Sequence, residues 1–272
     1  MSPGPPFITF LSDYGVSDDF VGVCHGVIAS VCPQARVIDV THGIPRHDVR
    51  AGAVVLDEAL PYMPRGVHLA IVDPGVGGRR RAVALRLGDE RLMVGPDNGL
   101  LWPAAHRCGG IVQAVDIGQS PFRLEPVSAT FHGRDIFAPV AARLASGAPL
   151  ADAGEQCDPA ALVTLELPRP RIDGDWLLAH VLYIDRFGNL ELDAGRDAGA
   201  RLELEPGDQL TLRAGSRSYE CPFVATFSDV DPGQLLVYED SYGRLAVAVR
   251  DGSAAEHLDT EADAEIRIGR PG

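Results

Sequence analysis

Phe7-Ile-Thr-Phe-Leu-Ser shows no in-and-out alternation, which predicts a strand covered on both faces. Ser17-Asp18-Asp19 places acids where a first helical turn favours them. Phe20, Val23, Val27 and Val31 then recur at helical spacing, and Pro33 ends the run. Residues 37–40 predict a second strand. His47-Asp48 opens a helix carrying Ala51, Val54, Val55 and Leu60, and residues 67–72 predict a third strand ending at Asp73. Residues 82–87 and 91–94 read as a hairpin turning at Gly88-Asp89. Residues 134–146 predict a helix with Ile136, Val140 and Leu144 on one face. Strands alternating with helices in this way imply a mostly parallel, Rossmann-like sheet with helices on both faces.

The pattern changes past Leu167-Pro-Arg-Pro-Arg, where two prolines cannot continue a helix. Short apolar or alternating runs follow at 177–184, 202–204, 209–212, 235–237, 245–249 and 266–268, separated by turn signals such as Pro206-Gly207 and Pro232-Gly233. They predict a small all-β, barrel-like domain. The expected organisation is an α/β domain over 1–166, a linker over 167–175 and the β domain over 176–272.

Composition narrows the function. A formal charge of −14 repels phosphate backbones and argues against nucleic acid. No run of apolar residues is long enough for a membrane span. All 24 basic residues are arginine, so Schiff-base chemistry, a pyridoxal phosphate lysine and a phosphate-binding Gly-Lys-Ser/Thr loop are excluded. Cys24, Cys32, Cys108, Cys157 and Cys221 contain no Cys-x-x-Cys pair and read as reduced, space-filling thiols. No His-x-x-x-His spacing occurs, so no metal ligand set is expected. Residues 1–7 lack the basic start and apolar stretch of a secretion signal, which makes the cytoplasm the expected location.

Candidate chemistry collects at strand ends, where open α/β sheets bind ligands. Asp13 and Asp73 each end a predicted strand; either alone reads first as a cap or turn residue, but two at corresponding strand ends point to a site. Asp73-Pro-Gly-Val-Gly-Gly-Arg-Arg-Arg combines glycines that permit close approach with arginines suited to a carboxylate or phosphate. His132, in Phe131-His-Gly-Arg-Asp, stands at a loop-to-helix junction and suits proton transfer near neutral pH. Pro96-Asp-Asn-Gly reads as a turn. Ile184-Asp-Arg-Phe-Gly-Asn offers a stacking ring and an amide for a nucleobase, or else a simple β-turn.

Phe10-Leu-Ser-Asp-Tyr-Gly, Val72-Asp-Pro-Gly-Val-Gly, Pro96-Asp-Asn-Gly-Leu, Phe131-His-Gly-Arg-Asp and Ile184-Asp-Arg-Phe-Gly-Asn occur in that order along nearly the whole chain. Together they resemble the S-adenosylmethionine (SAM) hydroxide adenosyltransferases, the adenosine-forming SAM hydrolases related to SAM-dependent fluorinases and chlorinases. The resemblance implies an N-terminal α/β domain, a C-terminal β-barrel, and a homotrimer with active sites between subunits. It implies that Asp73, Arg80 and His132 surround the attacking water, with Arg81 the other candidate arginine. It implies that Asp13 takes the ribose hydroxyls, Asp185 and Ser241 the methionine part, and Asn189 the adenine edge, with Phe187 and Phe227 as aromatic walls. SAM is then the substrate, adenosine and methionine the products, and no cofactor is implied.

The implied reaction is in-line attack of water or hydroxide on ribose C5′. Halogenating relatives resemble this chain but carry Tyr in place of Asp73, and the fluorinase carries Ser for Gly133, Thr for Val76, Trp for His47 and Arg for Tyr242. A fixed carboxylate repels a halide and holds a water, so Asp73 weighs against halogenation. The alternatives are a chlorinase-like, halide-dependent adenosyltransferase and a nucleoside- or SAM-binding protein without turnover.

Overall fold

The computed structural model describes residues 6–271. The chain divides into two compact units, Met1–Glu166 and Leu167–Gly272.

The first unit is built on seven strands: β1 (Phe7–Ser12), β2 (Arg36–Thr41), β3 (Val67–Ile71), β4 (Ala82–Leu87), β5 (Leu92–Pro96), β6 (Ile111–Asp116) and β7 (Glu155–Cys157), in the spatial order β2-β1-β3-β5-β4-β6-β7. The β2-β1-β3-β5 side is parallel, and the β4–β5 hairpin turns the remaining pairings antiparallel. The sheet is therefore mixed, its parallel part ending where the expected hairpin begins.

Helices cover both faces, which explains the unalternating strands. α1 (Phe20–Val31) packs with α4 (Ala138–Ala145), and α2 (Val49–Ala59) packs with α3 (Trp102–Arg107). Ile8, Phe10, Leu69 and Ile71 meet Ile28, Phe137 and Val140 in one buried cluster. α2 comes close to the sheet through Gly52, where a Cβ would stand 2.9 Å from both Val72 and Leu100 side chains. Its first turn is capped by Asp48, whose Oδ1 accepts the Ala51 N–H at 2.8 Å.

The second unit contains β8 (Arg171–Asp173), β9 (Trp176–Ile184), β10 (Leu190–Gly195), β11 (Gln209–Ala214), β12 (Arg217–Val224), β13 (Leu235–Glu239), β14 (Arg244–Val249) and β15 (Glu265–Gly269), with short helices α5 (Arg196–Arg201) and α6 (Ala254–Leu258). The pairing of β9 with β10 closes seven strands into a barrel, and β8 pairs with the first part of β9. Alternate residues such as Leu177, Ala179, Val181, Leu210, Leu212, Ile266 and Ile268 fill its core.

Two local expectations change. Part of the stretch expected to be linker forms β8. Residues 202–204 are not a strand but the cap of α5: Leu204 N–H bonds the Gly199 carbonyl, Glu203 N–H bonds that of Ala200, and Glu203 takes φ 50°. That is a Schellman cap, in which two leucines flank a left-handed residue and so imitate a strand's alternation. Among the described residues no helix is long and apolar enough to cross a membrane.

Candidate active site

In the first unit, Asp13 and Asp73 follow the adjacent parallel strands β1 and β3, and the Asp13 N–H bonds the Ile71 carbonyl at 3.3 Å. The Asp73 carboxylate is almost buried, at 6% side-chain exposure. Arg80 Nε donates to its Oδ1 at 2.9 Å and its Oδ2 at 3.1 Å, and Arg80 Nη2 also donates to Oδ2. The same Nη2 donates to His132 Nδ1 at 2.9 Å. One guanidinium thus bridges a carboxylate and an imidazole, and its own face rests on the Phe137 ring with 5.2 Å to the centroid.

This geometry sets the state of His132. Nδ1 must present a lone pair to Arg80, so that nitrogen is unprotonated. Burial lowers the pKa of His132 from its ordinary 6.5, the Arg80 charge lowers it further, and Asp73 opposes both. The neutral ring is the form that fits.

The sequence around His132 builds its support. Helix begins at Gly133 with a single π-type turn, Gly133–Phe137, before α4. Buried Asp135 ties this turn to the preceding loop: its Oδ2 accepts Ser128 N–H at 2.8 Å and its Oδ1 accepts Arg134 Nε at 2.6 Å. Burial pushes the Asp135 carboxyl up, but these bonds hold it below the usual carboxylate range.

The glycines of the Asp73 loop serve the chain itself. Gly77 has φ 74°, and its Cα faces the Ala129 carbonyl so closely that a Cβ cannot fit. The Pro96-Asp-Asn-Gly turn braces the same region: Asn98 Nδ2 donates to the Val72 carbonyl at 2.8 Å. It also separates the two arginines. Arg81 Nε donates to Asp97 Oδ2 at 2.8 Å and Arg81 Nη2 to the Ala161 carbonyl, so Arg80 alone of the pair reaches Asp73.

Asp13 Oδ2 accepts the His47 N–H at 2.9 Å, with His47 in the left-handed region at φ 65°. Beside it lies a residue the sequence reading passed over. Tyr14 is walled by Phe10, Phe20 and Phe131. Its hydroxyl abuts Gly133 so tightly that a Cβ there would overlap the oxygen and stand 3.1 Å from Cζ. Burial first, then Cys24, Asp13 and Asp73, raise the Tyr14 pKa well above 10.0, so the hydroxyl stays a donor. Its only sequence signal is its place next to Asp13.

The second unit holds the other candidates. Asp185 Oδ1 accepts the Phe187 and Asn189 N–H groups at 2.8 and 2.9 Å, and Oδ2 accepts Asn189 Nδ2 at 2.8 Å. The turn therefore holds itself together while Phe187 stands 63% exposed. Phe227 is partly exposed and packs on Tyr238 at 4.8 Å between centroids. Burial, then Asp185, pushes the Tyr238 hydroxyl up to about 12. Ser241 lies exposed in the β13–β14 turn, which Asp240 fixes by accepting Tyr242 and Arg244 N–H groups.

Comparison with known proteins agrees along the chain. Residues 8–154 match the SAM hydroxide adenosyltransferase N-terminal domain and residues 179–267 its C-terminal domain. A protein from Salinispora tropica named (R)-S-adenosyl-L-methionine hydrolase is 52% identical over 97% of both chains. A fluorinase from an Actinoplanes species is 30% identical over 90% of this chain and 91% of its own. The crystal structure of an uncharacterized conserved protein from Thermotoga maritima superimposes with a TM-score of 0.90 at 35% identity, covering 97% of this chain and 100% of that one. This chain belongs to the SAM hydroxide adenosyltransferase family.

Proposed function

We propose that this protein hydrolyses SAM to adenosine and L-methionine by in-line attack of water on ribose C5′. The observation that carries the reading is the Asp73–Arg80–His132 chain: a carboxylate, at a strand end, whose orientation is fixed by a guanidinium that is itself fixed by an imidazole. The sulfonium leaves without protonation, so the protein's tasks are to hold the water, align it and exclude bulk solvent. Holding the attacking oxygen about 3 Å from carbon, in line with the departing sulfur, removes several kcal/mol of barrier.

In this mechanism the Asp73 carboxylate accepts a hydrogen bond from the water and aims its lone pair at C5′; as the O–C5′ bond forms the C5′–S bond breaks, methionine leaves as a neutral thioether, and the water's surplus proton is released to solvent. Arg80 and His132 are positioning residues: with Nδ1 taken by Arg80, His132 orients rather than abstracts. Asp13 binds the ribose hydroxyls. Asp185, Asn189, Ser241, Phe187 and Phe227 contact the adenine and methionine parts. The reading includes a homotrimer and a cytoplasmic location; the exposed rings of Phe187, Phe227 and Tyr242 supply aromatic surface of the kind that a ligand or a second copy covers.

Turnover in ¹⁸O-labelled water tests the reaction. The label is expected in the adenosine 5′-hydroxyl. Formation of 5′-chloroadenosine in excess chloride would move the assignment to a halide-dependent transferase, and tight adenosine binding without methionine release to a binding protein. Asp73→Ala is expected to abolish most turnover while SAM binding remains measurable.

A further inference from the structure

The proposed reaction makes no use of a second cluster in the first unit. His25 lies on α1, Asp39 on β2, and His42 just beyond β2. His25 Nε2 is 2.8 Å from Asp39 Oδ1, and His42 Nε2 is 3.1 Å from the same oxygen. The three ligand atoms all lie within 4.8 Å of one another. His42 is 6% exposed, and its Nε2 is buried without a hydrogen-bond partner. Asp39 Oδ1 is near enough to accept from it but stands too far off the nitrogen's axis. That offset suits an ion better than a proton. In a tetrahedral site the metal sits on the nitrogen axis and the neighbouring ligand oxygen stands to one side.

We propose that His25 Nε2, Asp39 Oδ1 and His42 Nε2 bind one divalent transition-metal ion of the zinc class. Two imidazoles and a carboxylate match that class and not calcium or magnesium, which take oxygen ligands. Bonds of about 2.0–2.1 Å separate tetrahedral ligands by about 3.4 Å, so the 2.8 and 3.1 Å gaps open by about 0.6 and 0.3 Å, while the two imidazole nitrogens, within 4.8 Å of each other, settle to the same spacing. The partly exposed His25 and Asp39 have room to do this, and their exposed side leaves a fourth position for water.

The surroundings of His42 fit a ligand. Its Nδ1 lies 2.8 Å from Ser12 Oγ, the outer partner that fixes a metal-binding tautomer. Ser12 Oγ also accepts the Tyr14 N–H at 3.3 Å, and the Gly15 N–H donates to the His42 carbonyl at 2.8 Å. An ion on His42 therefore clamps the turn that carries Asp13 and Tyr14. Sequence spacing hides the site because its ligands come from a helix, a strand and a loop.

The test uses the full chain, stripped with a chelator and titrated with Zn²⁺ by calorimetry and with Co²⁺ by visible absorption. One ion per chain is expected, with the intense visible bands of tetrahedral Co²⁺ and no thiolate charge-transfer band. His25→Ala and Asp39→Asn, both at surface positions, are expected to weaken binding at least tenfold while melting normally. His257→Ala, an exposed histidine elsewhere, is expected to change nothing. Equal affinity in wild type, His25→Ala and Asp39→Asn, or only weak binding at several sites, overturns the proposal. The coupling to Asp13 rests on the proposed hydrolysis and is read separately: Zn²⁺ is expected to change KM for SAM in the wild type and not in His25→Ala. An unchanged KM with the ion bound overturns the coupling alone. Absence of SAM turnover in every state overturns the hydrolysis reading, and the binding titrations still decide the site.

Discussion

Replacing Gly133 by alanine tests whether the Tyr14 hydroxyl leaves room for any side chain at position 133. The added Cβ would fall below 3.0 Å from the Tyr14 hydroxyl, with Cζ and Cε2 at 3.1 and 3.3 Å. Tyr14 cannot swing aside, because Phe10, Phe20 and Phe131 wall its ring. Overpacking of this kind costs about 1–3 kcal/mol. At about 2–4 °C per kcal/mol for a domain of this size, thermal unfolding of Gly133→Ala should begin several degrees early. Tyr14→Phe removes the overlapping oxygen and leaves two carbons that need give only a few tenths of an ångström. The double variant should therefore recover most of the loss, with a coupling energy of about 1–2 kcal/mol in the mutant cycle. Calorimetric melting of the four proteins measures it. Wild-type melting of Gly133→Ala, or a cycle with no coupling, would refute the reasoning.

Arg80→Lys should lower turnover about 10²-fold or more, since an ammonium cannot serve two carboxylate oxygens and His132 together; Arg81→Lys should not, and single-turnover assays compare them. Because the pKa of His132 is lowered in the fold, the neutral ring persists near pH 7, and protonation at lower pH breaks its bond from Arg80. Turnover should still hold at pH 6.5, the ordinary histidine value, and fall only at more acid pH; a kcat/KM profile rising toward acid would contradict this. His68 is wholly buried, and burial, then Arg91, lower its pKa to about 4. The unfolded chain binds that proton first, so stability should fall by about 3 kcal/mol between pH 6.5 and 4. Denaturant unfolding at both pH values should show a smaller loss in His68→Gln.

The alternation of strand and helix from β1 to β3, the β4–β5 hairpin and the helix after His132 were legible from their apolar periodicity and breakers, whereas α3 and β6 were passed over, α3 being only six residues long. Asp48 before α2 and the apolar runs of β1 and β3 are the clearest cases. β10 and β12 were not legible. β12 contains Pro222, and β10 ends in Ala194-Gly195, composition that argues against strand; closure of the barrel supplies the pairing that propensity lacks. The Asp73 and His132 motifs were visible as sequence. What joins them was not: the choice of Arg80 over Arg81 depends on Asp97, which comes from another strand end.

The placement of Asp97 is what turns a run of three arginines into a site. Arg79, Arg80 and Arg81 are chemically alike, and only the family resemblance singles out Arg80, with Arg81 as the other candidate. Asp97 and the Ala161 carbonyl engage Arg81, while its neighbour Arg80 reaches Asp73 and His132. Arg80 spends Nε and Nη2 on the carboxylate and so fixes its plane; a monodentate contact would leave that plane free to turn. The neutral ring of His132 completes the guanidinium without adding a second positive charge. One cation facing one anion leaves little net field to draw a halide, whereas the carboxylate oxygens still offer a water molecule an acceptor. In the proposed mechanism, then, Asp97 acts at a distance: it commits Arg81, and Arg80 with His132 fixes the carboxylate that holds the water.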